Sequence, residues 1–175
     1  METFTDLKDF VANPHFNDQR QESLSQFNID KIDPPITDLV SGFAKLPYCF
    51  TLQSCYGHFL HDYNIDAIPI TDDILNVDYR IAYIALCIEN SKSGKTLFEL
   101  LRRIPETDPE YIQFGCAEWF WGRQVNSYAL QVEPRRYMTK DQVRIGYQEA
   151  LHVEKVRNRF FDQLNKLVKK QLEGI

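Results

Sequence analysis

The apolar period changes several times along the chain, and each change marks a boundary between elements. Residues 1–46 carry hydrophobic side chains at helical spacing: Phe4, Leu7, Phe10 and Val11 before the break at Asn13-Pro14, then Phe16, Leu24 and Phe27, then Ile36, Leu39, Val40 and Phe43. Pro34 and Pro35 suit the opening turn of the last of these helices, where no intrahelical hydrogen bond is donated. From Pro47 the period shortens to two. Tyr48, Phe50, Leu52 and Ser54 alternate with Cys49, Thr51, Gln53 and Cys55, which predicts a strand, and Gly57 predicts the turn that ends it.

Residues 61–78 have acidic pairs, a proline and no clean period, and read as a surface loop with room for a short helical turn. Residues 79–90 are apolar on both faces, as a central strand should be. Residues 91–105 read as a helix with Leu97, Leu100, Leu101 and Ile104 turned inward, capped by Ser91 or Ser93 and stopped by Pro105. Residues 111–121 and 126–134 read as two strands of an antiparallel hairpin with Gly122 at its turn. The last element is expected to be one long helix capped at Thr139, with Gln142 completing a capping box and an inward stripe through Val143, Tyr147, Ala150, Val153, Phe160, Leu164 and Leu167. Running to about residue 171 it would measure roughly 48 Å. Such a helix would overhang or bend, and an overhanging stripe makes a homodimer a reasonable expectation.

These elements predict an α+β (α/β) single domain over residues 1–175, with a mixed or antiparallel sheet of about four strands flanked by helices. Its parts are a helical N-terminal region (1–46), a sheet with one helix (47–138) and a long C-terminal helix (139–172).

Composition supports a folded chain, with 43% hydrophobic, 26% charged and 13% aromatic residues. A net charge of −5 excludes a broad basic surface for nucleic acid, so RNA could be met only through a local patch. No apolar run reaches the ~20 residues that cross a bilayer, and the acidic start lacks the features of a secretion signal, which predicts a cytoplasmic protein without membrane association. Cys49, Cys55, Cys87 and Cys116 do not form a dense disulfide framework, and three of them are expected to pack as small apolar groups.

The chemistry concentrates in residues 49–64, CFTLQSCYGHFLHDYN. Cys55, His58 and His61 are spaced as zinc donors, with Asp62 or Cys49 available as a fourth, although a second ligand knuckle is missing. Cys55 could instead be a nucleophile with His58 as its base, but no third orienting residue is evident. The reading favoured here is a ligand-binding turn: Gly57 permits positive φ and close backbone approach, and Ser54, Cys55 and His58 line a pocket for a small molecule or nucleotide.

Trp119, Trp121 and Arg123, at alternate positions of an expected strand, would offer a stacking face and a cation to a nucleobase, or else fill core. Arg135 and Arg136 could meet a phosphate. SKSGKT fails as a phosphate loop because Glu89 stands where that loop requires glycine.

Residues 16–58 resemble the wybutosine-synthesis methyltransferase family, which methylates a tricyclic guanosine derivative in tRNA with S-adenosylmethionine. The family's strand reads Thr-x-Ser-Ser-Cys-Ser-Gly-Arg. Thr51, Ser54, Cys55 and Gly57 fall on matching positions, while Gln53, Tyr56 and His58 replace a serine, a serine and the arginine. Histidine cannot reproduce arginine's permanent charge or its five-donor fork. The resemblance implies a shared fold, with S-adenosylmethionine as a possible cofactor and Thr51 as a further site residue. The Ser-Cys-x-Gly-His turn is also similar to that of a looser set of uncharacterised bacterial and phage proteins.

Overall fold

Two antiparallel sheets meet along one seam, and the chain crosses that seam where the sequence places its chemistry. The computed structural model describes residues 4–61 and 76–174. One sheet has the order β1 (Phe4–Thr5), β6 (Ile112–Ala117), β7 (Ser127–Val132), β5 (Ala82–Ile88), β2 (Cys49–Cys55). The other has the order β3 (His58–His61), β4 (Asn76–Arg80), β8 (Gln142–Gly146). Among the described residues, five α-helices complete the α+β domain: α1 (Phe16–Ser25), α2 (Thr37–Lys45), α3 (Lys92–Arg102), α4 (Glu118–Arg123) and α5 (Tyr147–Glu173).

The β-branched and leucine face of the larger sheet carries the core. Ile84, Leu86, Leu130 and Val132 meet Phe43 of α2, Leu97 and Leu101 of α3, and Val153, Phe160 and Leu164 of α5. The opposite face is lined by smaller or polar residues. Ala85 pairs with Ala129, and Gln113 with Gln131. Around Ala85 and Ala129 this face is covered by Phe4, Phe120 of α4, Leu52 and Met138, and toward β2 by Phe16 of α1 on Phe50 and Cys87.

Several expectations need correcting. The sheet of about four strands is two sheets, of five and three strands. Residues 4–11 are not helical. Phe4 and Thr5 pair with Ala117 and Cys116, Phe10 packs on Phe98 and Tyr128, and the Asn126 side chain bonds both the N–H and the carbonyl of Val11. Tertiary partners thus satisfy the apolar triplet spacing that suggested a helix. The strand expected over 79–90 is split at Ile81, which donates to the Asp141 carbonyl at 3.1 Å, so β4 and β5 belong to different sheets. Of the loop expected over 61–78, residues 76–78 belong to β4 and His61 to β3, and 62–75 lie outside the described residues.

The strand expected over 111–121 stops at Ala117. Residues 118–123 form α4, because a helix buries Phe120 and brings Trp119 and Arg123, four apart, into contact with the guanidinium 3.5 Å from the ring centre. β6 and β7 do pair antiparallel, but α4 connects them, so Gly122 is helical rather than a hairpin turn. The final helix begins at Tyr147, not Thr139. Val143 and Ile145 are buried, alternate with exposed Gln142 and Arg144, and pair with Tyr79 and Val77 as β8. Val143 and Tyr147 fit either period, and pairing with β4 decides for the strand. α5 has 27 residues, about 40 Å at ~1.5 Å per residue. Its stripe is covered by the chain's own α2 and sheets as far as Val168, which removes the ground for expecting a partner on an overhang.

Tyr79 ties the two sheets together. Its buried hydroxyl accepts the Ala82 N–H at 2.9 Å and donates to the Val132 carbonyl at 2.9 Å, while its ring stacks on Phe59 at 4.7 Å. Tyr79→Phe would leave one donor and one acceptor buried without partners, at a cost of about 1–3 kcal/mol. Urea unfolding is expected to show that loss, and a change below ~0.5 kcal/mol would show that the hydroxyl is not part of the seam.

Candidate functional site

Gly57 turns the chain from β2 into β3 with φ +88°. A Cβ there would lie 2.8 Å from the Ala82 Cβ, 3.0 Å from the Ala82 nitrogen and 3.0 Å from the Tyr79 hydroxyl. Both the dihedral and the contact therefore require glycine. The turn sets Cys55, buried at the end of β2, close to His58 at the start of β3.

Asp33, just ahead of Pro34 and Pro35 at the entrance to α2, completes the cluster. One Asp33 oxygen accepts the Tyr56 N–H at 2.7 Å and lies 3.4 Å from His58 Nε2. The donor atoms of Asp33, Cys55 and His58 all lie within 4.8 Å of one another. Burial pushes the Cys55 thiol up, opposed by the nearby Gly57 amide and reinforced by the Asp33 carboxylate beside it. A thiol held protonated in this way is a poor nucleophile on its own, which weakens the nucleophilic reading.

Arg157 of α5 fixes the turn from below. It is 6% exposed, donates from Nη1 to the Gly57 carbonyl at 3.0 Å, and lies 4.2 Å from the Tyr56 ring centre and 5.2 Å from that of Phe59. Its other contacts are Glu154 at 3.4 Å and the Asn158 side chain, which also accepts from the Tyr56 hydroxyl at 2.8 Å.

Beside this turn a cleft of about 160 Å³ opens over the small-residue face of the larger sheet. Ala117 and Ala129 form its apolar base, with Phe4 and Phe120 at one side. Gln53, Arg80 and Tyr83 border it toward the turn, and Lys140 and Asp141 line it next to Ile81, whose N–H bonds to the Asp141 carbonyl. Tyr83 pairs with Cys55 in the sheet and Arg80 pairs with His58, so the turn adjoins the cleft through these partners, while Cys55, Gly57 and His58 themselves do not line it. Gln131, 6% exposed, lines the cleft while donating to Glu133 and to the Met138 carbonyl. Glu133 is fully buried, and burial together with the Asp141 carboxylate pushes its pKa up to about 9, so it is neutral at pH 7. Among the described residues, one Glu133 oxygen and both amide atoms of Gln113 have no hydrogen-bond partner.

The expected site residues separate. Cys55, Gly57 and His58 come together at the turn, whereas Thr51 and Ser54 border a different groove, of about 430 Å³, between β2 and α1. A bulge between Thr51 and Gln53 shifts the pairing of β2, so the strand does not hold one alternation throughout. Trp121 and Arg123 do not share a strand face: Trp121 packs on Tyr128 beneath the Lys8 ammonium, and Arg123 lies on Trp119. Arg136 is paired with Glu149 at 2.6 Å. Of the proposed metal donors, Cys49 is buried with its thiol 3.6 Å from the Phe43 carbonyl, the His61 side chain lies outside the described set, and Asp62 lies outside the described residues. Asp33, Arg157 and Glu133 were not singled out from the sequence. The one available signal was for Asp33, which precedes a proline pair and so is held in an extended conformation.

Two predictions follow from this geometry. Gly57→Ala should cost about 1–3 kcal/mol in denaturant unfolding, whereas Gly122→Ala, on exposed α4 with open space around it, should be neutral or stabilising by up to ~1 kcal/mol. Equal effects at the two positions would deny the turn its constraint. For Glu133, the folded pKa lies above the ordinary 4.5, so its protonation supports folding fully below 4.5 and that support is lost as pH rises toward 9, by up to ~1.4 kcal/mol per pH unit. Glu133→Gln keeps the shape and the acceptor for Gln131, so it should exceed the wild type in stability at pH 8 and converge with it near pH 4.5. A pH-independent difference would contradict a neutral Glu133.

No protein-family model and no curated protein matches the chain. Among solved structures, the chain is similar to the PH1069 protein from Pyrococcus horikoshii, with a TM-score of 0.50 and 12% identity over 91% of this chain and 95% of that one. It is also similar to a hypothetical protein from Aeropyrum pernix, with a TM-score of 0.41 and 13% identity over 81% of this chain and 98% of that one. The first of these likenesses is one of fold.

Proposed function

We propose that the protein binds a small molecule of the nucleoside or nucleotide class in the cleft beside the Gly57 turn. The observation that supports this most is the placement of Gln131, a largely buried amide, in a concavity whose base is alanine and whose rim carries Arg80 and Lys140. An apolar base with a few convergent polar groups is the usual make-up of a ligand pocket. Flat rings suit the alanine base and the Phe120 side, amides at Gln53 and Gln131 suit polar ring edges, and the cations suit an anionic group. The volume falls below the roughly 300–1,000 Å³ of drug-sized pockets, so the cleft suits one ring or head group, with the rest of the ligand at the rim. S-adenosylmethionine is the first compound to test, because the turn resembles that of a methyltransferase family.

Nucleosides, nucleotides and S-adenosylmethionine should be screened for a rise in melting temperature, since a ligand that binds only the native state stabilises it by mass action. At least one is expected to raise it, and Arg80→Ala or Gln53→Ala, both at exposed positions, should weaken that compound by about tenfold, ~1.4 kcal/mol. No shift with any of them at millimolar concentration, or a shift indifferent to both substitutions, would overturn the proposal.

A further inference from the structure

Asp33, Cys55 and His58 reach one point from three separate elements: the entrance to α2, the end of β2 and the start of β3. They offer one oxygen, one sulfur and one imidazole nitrogen. Hard cations such as calcium and magnesium take oxygen donors, whereas this mixed set suits a borderline ion of the zinc kind. Tetrahedral zinc with bonds of about 2.0–2.3 Å places its donors about 3.4–3.7 Å apart. The Asp33–His58 separation is 3.4 Å, and the largest separation in the trio is within 4.8 Å, so side-chain rotation of about an ångström closes the set.

The surroundings match a ligand set as well. The Tyr56 N–H on Asp33 fixes the carboxylate. Arg157 holds the Gly57 carbonyl and so the turn between Cys55 and His58. Groups that orient the ligands in this way are the usual companions of metal donors. Without an ion, Asp33 lies against both His58 and the Cys55 thiol, so the three donor atoms already converge on one point. The side chain of His58 is 49% exposed, which leaves one face of the trio open to solvent.

We propose that Asp33, Cys55 and His58 form a zinc-class metal site with three protein donors and an open fourth position. Binding exchanges the thiol proton for the ion: the S–H bond breaks, the sulfur–metal bond forms and the proton leaves to solvent. The fourth position takes water or a donor atom of a ligand, the arrangement of sites that act on a bound molecule rather than of closed structural sites. The proposal is independent of what the neighbouring cleft binds.

Cobalt(II) titrated into chelator-treated protein tests it, because cobalt bound to a thiolate gains a near-ultraviolet charge-transfer band and a four-coordinate site gains strong visible bands. The bands are expected to saturate at a single equivalent and to be displaced by zinc. Cys55→Ser should abolish the charge-transfer band, and His58→Ala, at a half-exposed position that the fold does not depend on, should weaken cobalt binding at least about tenfold with an unchanged far-ultraviolet circular dichroism spectrum. No charge-transfer band in the wild type, a band that survives Cys55→Ser, or unchanged affinity in His58→Ala would each overturn the proposal.

Discussion

The structure depends on the passage of the chain over Ala82 and the Tyr79 hydroxyl at Gly57. Three constraints meet at that position: a positive φ, contacts of 2.8–3.0 Å awaiting any side chain, and a carbonyl taken up by the buried Arg157. Only glycine meets the first two. Because β2 belongs to the larger sheet and β3 to the smaller, the turn also fixes how the sheets join, and Tyr79 bonds across the same seam. Local backbone chemistry and global architecture are thus decided by one residue.

The site inherits its shape from that joint. Cys55 and His58 approach because the turn is tight, and Arg80 and Tyr83, their partners across the strands, carry the rim into the cleft. The cleft exists because one face of the larger sheet is built from alanine and glutamine rather than from branched side chains. Keeping Gln131, Gln113 and Glu133 buried costs stability, since polar groups lose water there and Gln113 gains no partner in return. Sequences break such local rules chiefly where a site requires it.

Much of this was legible in the sequence where one period was unopposed. β2, β7, α2 and α3 announced themselves, and so did the Gly57 turn; of the two serines open as the cap of α3, Ser91 takes the role, its hydroxyl accepting the Gly94 N–H at 3.2 Å. Reading failed where two periods fit the same residues. Val143 and Ile145 satisfy a strand as well as the start of a helix, and pairing with β4, distant in sequence, settles the matter. Trp119 and Arg123 lie on one face of a strand and one face of a helix alike, and burial of Phe120 chooses the helix. In the site, Cys55 and His58 were visible because they are neighbours in sequence. Asp33 and Arg157 were not, because each joins through tertiary packing from 22 and 102 positions away from Cys55 (55 − 33 and 157 − 55), and the proline pair after Asp33 marks its backbone but not its partners.

The backbone angle at Gly57 and the separation of Asp33 from His58, measured together in crystals of the chain, test the central claim most directly. A φ near +88° with a carboxylate oxygen about 3.4 Å from the imidazole nitrogen is the predicted result. A negative φ at Gly57, with Asp33 turned to solvent and Cys55 and His58 held apart, would contradict it.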